Sequence, residues 1–230
     1  MNKIVIDTDK YDLIVDNDNY SIEVINTKIL NIKVLENVSS KMTILIQNTN
    51  IFINIDLEKS SNLVINQLVV NSSLNLNANL SSYASISFVS GLISLNDTIN
   101  NINIMHKESN SKSKIIINGV NLENKKFYLT MNGYIPKTSL NCVLDENSKI
   151  INLKDGDSKI IPNLIIDNKE VIANHSAFIG KFDLDKINYL KSRGIKMDDI
   201  YNLLLKSNLL SGMDLFVDKD RFIYFIRNIK

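Results

Sequence analysis

The fold is decided by residues 160–195, which read IIPNLIIDNKEVIANHSAFIGKFDLDKINYLKSRGI. The first half of this stretch consists of β-forming residues interrupted by Asn and Asp, and Pro162 removes one backbone donor. From Asp183 the pattern is helical, because Asp is a favoured N-cap residue and apolar residues then recur every three positions. Gly194 predicts the helix end, since glycine adopts left-handed backbone easily. We therefore predict a change from strand to helix at Gly180.

The region before this stretch alternates apolar and polar residues with the period of two that is typical of strands. Ile51, Ile53, Ile55 and Leu57 share one face, and Asn54 lies on the other. The same alternation recurs in four other groups: 42–47, 74–80, 85–89 and 102–104, with a further candidate at 138–144. No convincing amphipathic helix precedes Gly180. The sequence thus predicts a long all-β region, with rungs or strands from Lys3 to Ile179.

The pattern leaves the architecture of this β region open. All seven glycines lie at or after Gly91, whereas tight hairpins favour glycine in their turns. Asn tolerates left-handed backbone better than most residues, so Asn is expected to form the corners. Many short strands with such corners fit a β-solenoid, but no fixed repeat length is visible. A β-solenoid and a β-sandwich both remain open on this pattern.

Composition excludes several classes of protein. The chain has 230 residues and a formal net charge of +1, so no global field attracts nucleic acid or a membrane surface. Its N-terminus has no apolar signal segment, and no apolar run approaches the ~20 residues that span a bilayer. We expect a cytoplasmic protein. The single cysteine, Cys142, excludes an internal disulfide framework, and the abundance of Asn is treated as compositional bias.

Three side chains with metal-binding or nucleophilic chemistry are expected to point inward. Cys142 is in phase with Leu144 and with the residue two before it, so it is predicted to be a small interior hydrophobe. His106 follows Ile102 and Ile104 in the same phase, which predicts a hydrogen-bonded interior histidine. His175 shares a phase with the apolar residues at 171 and 173, so the pattern alone predicts an interior histidine there as well.

No motif for catalysis is visible. The sequence has no phosphate-binding glycine loop, no zinc-ligand spacing and no nucleophile elbow, so we expect a protein that is not an enzyme. A carbohydrate-binding or surface β-helix is the alternative function. The absence of Trp and of a secretion signal argues against it.

Two more helices are predicted after the first. Asp198 and Asp199 open one of them. The other covers roughly Asp220 to Lys230, with an apolar stripe formed by Phe222, Phe225, Ile226 and Ile229. We predict a β core over residues 1–180 and a helical region over residues 181–230, which would cap the core, dock a partner or do both.

The end of the chain resembles the SufB/SufD family of iron–sulfur assembly scaffolds. Residues 162–166 and 171–180 are similar to the strand that leads, in that family, into a histidine, small residues and a glycine. Residues 189–195, YLKSRGI, are similar to the family's helix end. A fainter similarity extends backward through His106, Ser111, Ser113, Asn118, Gly119, Val120, Phe127, Gly133, Ile135 and Lys137.

The resemblance implies a right-handed parallel β-helix followed by a helical region, in a scaffold subunit of a SUF-type assembly complex. It implies a SufB-like partner at the final rungs near His175, which would be an interface ligand for a transient iron–sulfur cluster. No cofactor bound tightly by this chain alone is implied. It also implies that the segment Tyr189–Leu210 docks a SufC-like ABC-type ATPase, with Tyr189, Arg193, Gly194 and Ile195 as the docking residues.

Departures from the family pattern indicate a SufD-like member. SufB-type chains carry a cysteine in a loop before the final strand, whereas the corresponding residues 155–159 of this chain read DGDSK. SufB-type chains also carry a glutamate directly after the histidine, whereas this chain has Ser176 at that position. The family's longer members begin with a helical region, so this chain resembles a shortened SufD. Because a lone histidine cannot hold an iron–sulfur cluster, the remaining ligands would come from the partner, and we expect an obligate heteromer.

Overall fold

In the computed structural model, which describes residues 2–214 and 219–227, fifteen strands are followed by three helices. The odd-numbered strands form one sheet: β1 (Asn2–Ile6), β3 (Tyr20–Val24), β5 (Ser39–Gln47), β7 (Asn62–Val70), β9 (Ser85–Ser94), β11 (Lys112–Asn121), β13 (Val143–Asn152) and β15 (Ile172–Gly180). The even-numbered strands form the second: β2 (Lys10–Val15), β4 (Ile29–Val34), β6 (Ile51–Leu57), β8 (Leu74–Leu80), β10 (Thr98–His106), β12 (Lys126–Ile135) and β14 (Asp157–Ile166).

Each strand pairs in parallel with the strand two positions later in the chain, so the polypeptide passes alternately from one sheet to the other. This connectivity defines a two-sheet parallel β-solenoid. It confirms the parallel β-helix and rules out the sandwich, whose sheets are built from antiparallel pairs. β15 ends at Gly180 and the helices follow it, as the change in sequence pattern predicts.

The length of a rung changes along the solenoid, which is why no repeat is visible in the sequence. Equivalent residues of the even-numbered sheet are 19 positions apart at the N-terminal end. The separation is then 23 in two successive rungs, followed by 26, 29 and 31. The corners use left-handed backbone, mostly at Asn as expected: Asn37, Asn48, Asn71, Asn110 and Asn141, with Ser60 and Tyr83 at two others.

The core lies between the two sheets and consists of stacked aliphatic side chains. The alternations at 51–57 and 74–80 are confirmed, because every inward residue of both segments is at most 2% exposed. Residues 138–142 are a correction, since they form a turn and β13 begins only at Val143. Leu140 is accordingly exposed, although Cys142 is fully buried as predicted.

The helices α1 (Leu184–Ser192), α2 (Met197–Leu209) and α3 (Lys219–Arg227) do not close the end of the solenoid. α2 and α3 instead cover the outer face of the odd-numbered sheet, where Leu209, Phe222 and Ile226 pack on Leu45, Leu68, Val70, Ile93 and Val120. Gly91 permits this close approach, because a Cβ there would lie 3.0 Å from the Leu209 carbonyl oxygen. Ile229 and the Phe225 side chain lie outside the described residues. No described helix is long and apolar enough to cross a bilayer.

Candidate partner interface

The last rung of the solenoid leaves the ends of both sheets uncovered. β15 lies beyond β13 at one edge and β14 lies beyond β12 at the other, and no described strand pairs with their outer sides. Large apolar side chains are exposed on this rung: Ile165 46%, Ile172 61%, Phe178 51% and Ile179 42%. Unpaired strand edges flanked by exposed apolar side chains are the features that accept another chain by strand addition.

The two edges differ in their backbone donors. The Asp157 amide donates to the Lys125 carbonyl at 3.1 Å, so amides of alternate residues in β14 face β12 and those between them face the open side. Pro162 is at one of the positions whose amides would face the open side, so it removes a donor from the middle of the β14 edge. In β15 the Ile172 amide donates to the Cys142 carbonyl at 3.0 Å, which places the amide of His175 on the open side. The β15 edge is therefore the one with an uninterrupted set of donors.

His175 is exposed, so the prediction of an interior histidine from its phase is wrong. It does follow the inward alternation, since its register partner on β13 is the buried Glu146. Burial of an inward side chain requires a further rung of the opposite sheet, and no described strand supplies one after β15. His175 therefore faces the open end of the solenoid, beside the edge that is free to receive a partner strand.

Glu146 is a site residue that the sequence reasoning missed. Its side chain is 1% exposed, and neither carboxylate oxygen has a hydrogen-bond partner among the described residues. Burial raises the pKa of this carboxyl from 4.5 to about 7. Gly133 leaves room for it, because a Cβ on Gly133 would lie 3.2 Å from Oε1. The available signal was an acidic residue at an inward position between Leu144 and Ser148.

The described residues do not assemble a complete metal site. No three His, Cys, Asp or Glu side chains converge anywhere in the described ranges. At the open end this chain contributes His175, with Glu146 one strand away. An iron–sulfur cluster, which requires several ligands, could be held there only with groups from another chain.

His106 and Cys142 form a separate, interior polar cluster. His106 is fully buried, with Nδ1 2.7 Å from the Ser111 hydroxyl and Nε2 2.9 Å from the Ser113 hydroxyl. The Ser111 oxygen is also 3.4 Å from the Cys142 sulfur. Burial lowers the pKa of His106 to about 4, so the ring is neutral at physiological pH. Both predictions of interior, structural side chains are confirmed.

The predicted docking residues lie at the end of α1. Asp183 caps the helix by accepting from the Asp185 amide, as predicted. At the other end, Gly194 has φ +81°, its amide donates to the Lys191 carbonyl, and the Ile195 amide donates to the Leu190 carbonyl. These two bonds form a Schellman motif.

The surface beside this helix end is apolar. Tyr189 is 57% exposed, and the Arg193 guanidinium lies 5.2 Å from its ring centroid. A shallow groove of about 410 Å³ runs next to it, lined by Asp185, Lys186, Tyr189, Leu190 and Leu204. The structure thus brings Tyr189 and Arg193 together, while Gly194 and Ile195 fix where the helix stops.

A deeper cleft of about 470 Å³ separates α1 and α2 from the last two strands of the odd-numbered sheet. Lys149, Lys181 and Lys186 line it, and the Lys149 ammonium lies 5.9 Å from the Phe178 ring centroid. Asp183 also lines the cleft and Lys181 pairs with Asp155 at 3.0 Å, so the excess of positive charge there is small.

Residues 95–208 match the family model described as SUF system FeS cluster assembly, SufBD core domain. Just under half of the chain is therefore similar to a SufBD core domain. No curated protein matches the chain. The match associates the protein with the SUF system of iron–sulfur cluster assembly and does not separate SufB from SufD.

The matched segment contains every element of the interface just described. It begins before β10 and ends within α2, so it includes His106, Glu146, His175 and the end of α1. The strands before residue 95 continue the same two sheets in the same parallel register. One predicted boundary shifts, since residues 157–159 of the expected SufB cysteine loop belong to β14.

Proposed function

We propose that this chain is a non-catalytic, SufD-like scaffold subunit of a SUF-type iron–sulfur cluster assembly complex. It pairs with a SufB-like chain through the last rung and docks a SufC-like ABC-type ATPase through α1 and α2. The observation that carries the proposal is that the solenoid, in the segment similar to a SufBD core domain, ends in an uncovered rung with an exposed His175 beside the β15 edge, with which no described strand pairs.

Strand addition to β15 supports the pairing step. The backbone donors and acceptors of alternate residues from Ala173 to Ile179 face the open side of the strand, and Phe178 and Ile172 expose apolar surface next to them. Main-chain hydrogen bonds would provide affinity, and burial of these side chains would exclude water. Pro162 makes the β14 edge a poorer acceptor, so β15 is the edge to which the partner strand adds.

In this arrangement His175 serves as a ligand for the iron–sulfur cluster that the complex assembles. The cluster is the cargo of the complex. A neutral imidazole supplies one lone pair, and the other ligands come from the partner. The SufD-like character rests on what the last rung lacks. The chain's only cysteine, Cys142, is fully buried, and Ser176 follows His175. The scaffold therefore needs a partner that brings thiolates.

The ATPase docks on the surface formed by the segment Tyr189–Leu210. Tyr189 and Leu203 are about half exposed, and the apolar groove lies between α1 and Leu204 of α2. Deleting the helical region is a poor test of this step, because it would uncover the apolar outer face under α2 and α3. Single exposed side chains are better probes.

Pairing is tested by co-expressing the chain with SufB-like and SufC-like proteins of the same genome and measuring what co-purifies. Ala177→Pro removes one donor from the open edge of β15 while the pairing with β13 uses other amides. We expect this variant to lose the SufB-like chain and to keep its melting temperature. Phe52→Ala, at an exposed side chain on the other sheet, is the matched control and should leave binding unchanged. Retention of the SufB-like chain by the proline variant would contradict the proposed pairing.

Docking of the ATPase is tested with Tyr189→Ala and Arg193→Ala. Both side chains are exposed, and Arg193 lies over the Tyr189 ring, so stability should change by only about ±0.5 kcal/mol. We expect the SufC-like subunit to be lost from the purified complex while the SufB-like chain remains. If both variants retain the ATPase at wild-type stoichiometry, this surface is not the docking site.

A further inference from the structure

Seven polar side chains form a continuous ladder on the outer face of the even-numbered sheet. Six are asparagines, one per strand, and the first is an aspartate: Asp12, Asn31, Asn54, Asn77, Asn103, Asn132 and Asn163. Successive members are register partners, and each asparagine Nδ2 donates to the Oδ1 of the preceding member at 2.6–3.0 Å. The ladder runs from the first strand of this sheet to its last, β14.

The direction of the ladder is fixed by its first member. A carboxylate can only accept, so the Asn31 amide must point its Nδ2 toward Asp12. The hydrogen bond from Asn31 also lowers the pKa of Asp12, as does Lys10 at 3.2 Å, so the group is ionised at neutral pH. Every later amide then follows the same orientation. The ladder therefore reaches the open end with the Asn163 carbonyl oxygen facing outward, and no described residue donates to it.

Resting on the proposed pairing with a SufB-like chain, we propose that Asn163 selects this partner because it presents a hydrogen-bond acceptor to the open edge. The matching strand of the SufB-like chain donates to Asn163 Oδ1 and so continues the ladder across the interface. Pro162 directly precedes Asn163 and supplies no backbone donor, so side-chain pairing carries the specificity at this edge.

The same polarity discriminates against a second copy of this chain. Two copies joined end to end by a two-fold axis would set one Asn163 acceptor against the other. Two copies stacked head to tail would set Asn163 against the Asp12 carboxylate, which is also an acceptor. Both arrangements leave an acceptor unpaired or force one amide of the ladder to invert. The ladder thus favours a paralogue over self-association and over an open-ended fibre.

The test measures the affinity of purified variants for the SufB-like chain. Asn163→Ala removes the acceptor, and the loss of one net hydrogen bond predicts binding weaker by about 2- to 10-fold. Asn163→Asp keeps an acceptor at the edge, so it should bind more tightly than Asn163→Ala, although it loses the bond to Asn132 Oδ1 and should melt at a lower temperature than wild type. Asn101→Ala is the matched control, because it removes one side-chain hydrogen bond, to Asn75 Oδ1, on the same face of the same sheet but outside the ladder. It should lower the melting temperature without changing affinity.

Several outcomes would overturn the inference. Unchanged affinity of Asn163→Ala would show that Asn163 is not the acceptor, and so would a loss of affinity in Asn163→Asp equal to that in Asn163→Ala. Either result would leave the proposed pairing standing. Dimerisation of the chain alone, abolished by Ala177→Pro in sedimentation experiments, would show that a second copy satisfies the edge. If the wild-type chain does not bind a SufB-like protein at all, the proposed function fails and this inference fails with it.

Discussion

Replacing Glu146 by Gln should change how the stability of the protein depends on pH. Glu146 is buried without a hydrogen-bond partner among the described residues, and its pKa is raised by burial from 4.5 to about 7. The folded state therefore holds a proton that the unfolded state has released between these two values. By linkage, the free energy of unfolding falls as the pH rises from 4.5 toward 7 and levels off above that.

The size of the effect follows from the two pKa values. At about 1.4 kcal/mol per pH unit, the interval from 4.5 to about 7 corresponds to about 3 kcal/mol, most of which falls between pH 5 and pH 8. His106 acts in the opposite direction, because burial lowers its pKa from 6.5 to about 4 and stability is lost as the pH falls through that range. The wild-type profile alone would partly conceal both contributions.

The contribution of Glu146 is therefore measured as the difference in unfolding free energy between wild type and the variant. Urea unfolding of wild type and Glu146→Gln at pH 5, 6, 7 and 8 should show the variant gaining about 2–3 kcal/mol relative to wild type over the series. The contribution of His106 cancels in this comparison. Glu36→Gln, at an exposed carboxyl, is the control and should give a flat difference. A flat difference for Glu146→Gln would refute the interpretation of Glu146 as a buried, uncompensated carboxyl.

Three further substitutions test the site and its support. His175→Ala should change stability by only about ±0.5 kcal/mol, because the side chain is exposed, but the iron and sulfide content of the purified complex should fall sharply. Unchanged cluster content would argue against a ligand role. Gly91→Val should cost about 1–3 kcal/mol in thermal or urea unfolding, because the new side chain collides with the Leu209 carbonyl. Gly194→Ala should cost about 1 kcal/mol by the same measurement, since φ there is +81° and space is open; no loss would contradict the predicted backbone strain.

The features that the sequence predicted correctly depend on neighbouring residues in the chain. Asp183 and Gly194 mark the ends of α1 through contacts within one or two turns, and both behave as expected. The alternation at residues 51–57 likewise requires only that one face of a strand be covered. Local chemistry is sufficient for such assignments, because the groups involved are close in sequence.

The error at His175 concerns a property that depends on the next rung, and the error at residues 138–142 concerns where a strand begins. His175 has the phase of an interior residue, but its exposure results from the absence of a covering strand. Residues 138–142 alternate like a strand and yet form the turn that carries Cys142 into the core. No pattern within a segment reports whether another rung follows it.

The asparagines show how a compositional bias acquired a structural role. The sequence alone gave no reason to separate these residues from the general abundance of Asn, because their spacing increases from 19 to 31 residues and no fixed period joins them. Only the parallel register, with one outward position per rung, aligns them into a ladder. Once aligned, an amide is both donor and acceptor, so a single carboxylate at Asp12 can set the orientation of every later member. The end that a partner meets is therefore determined by a residue six strands away.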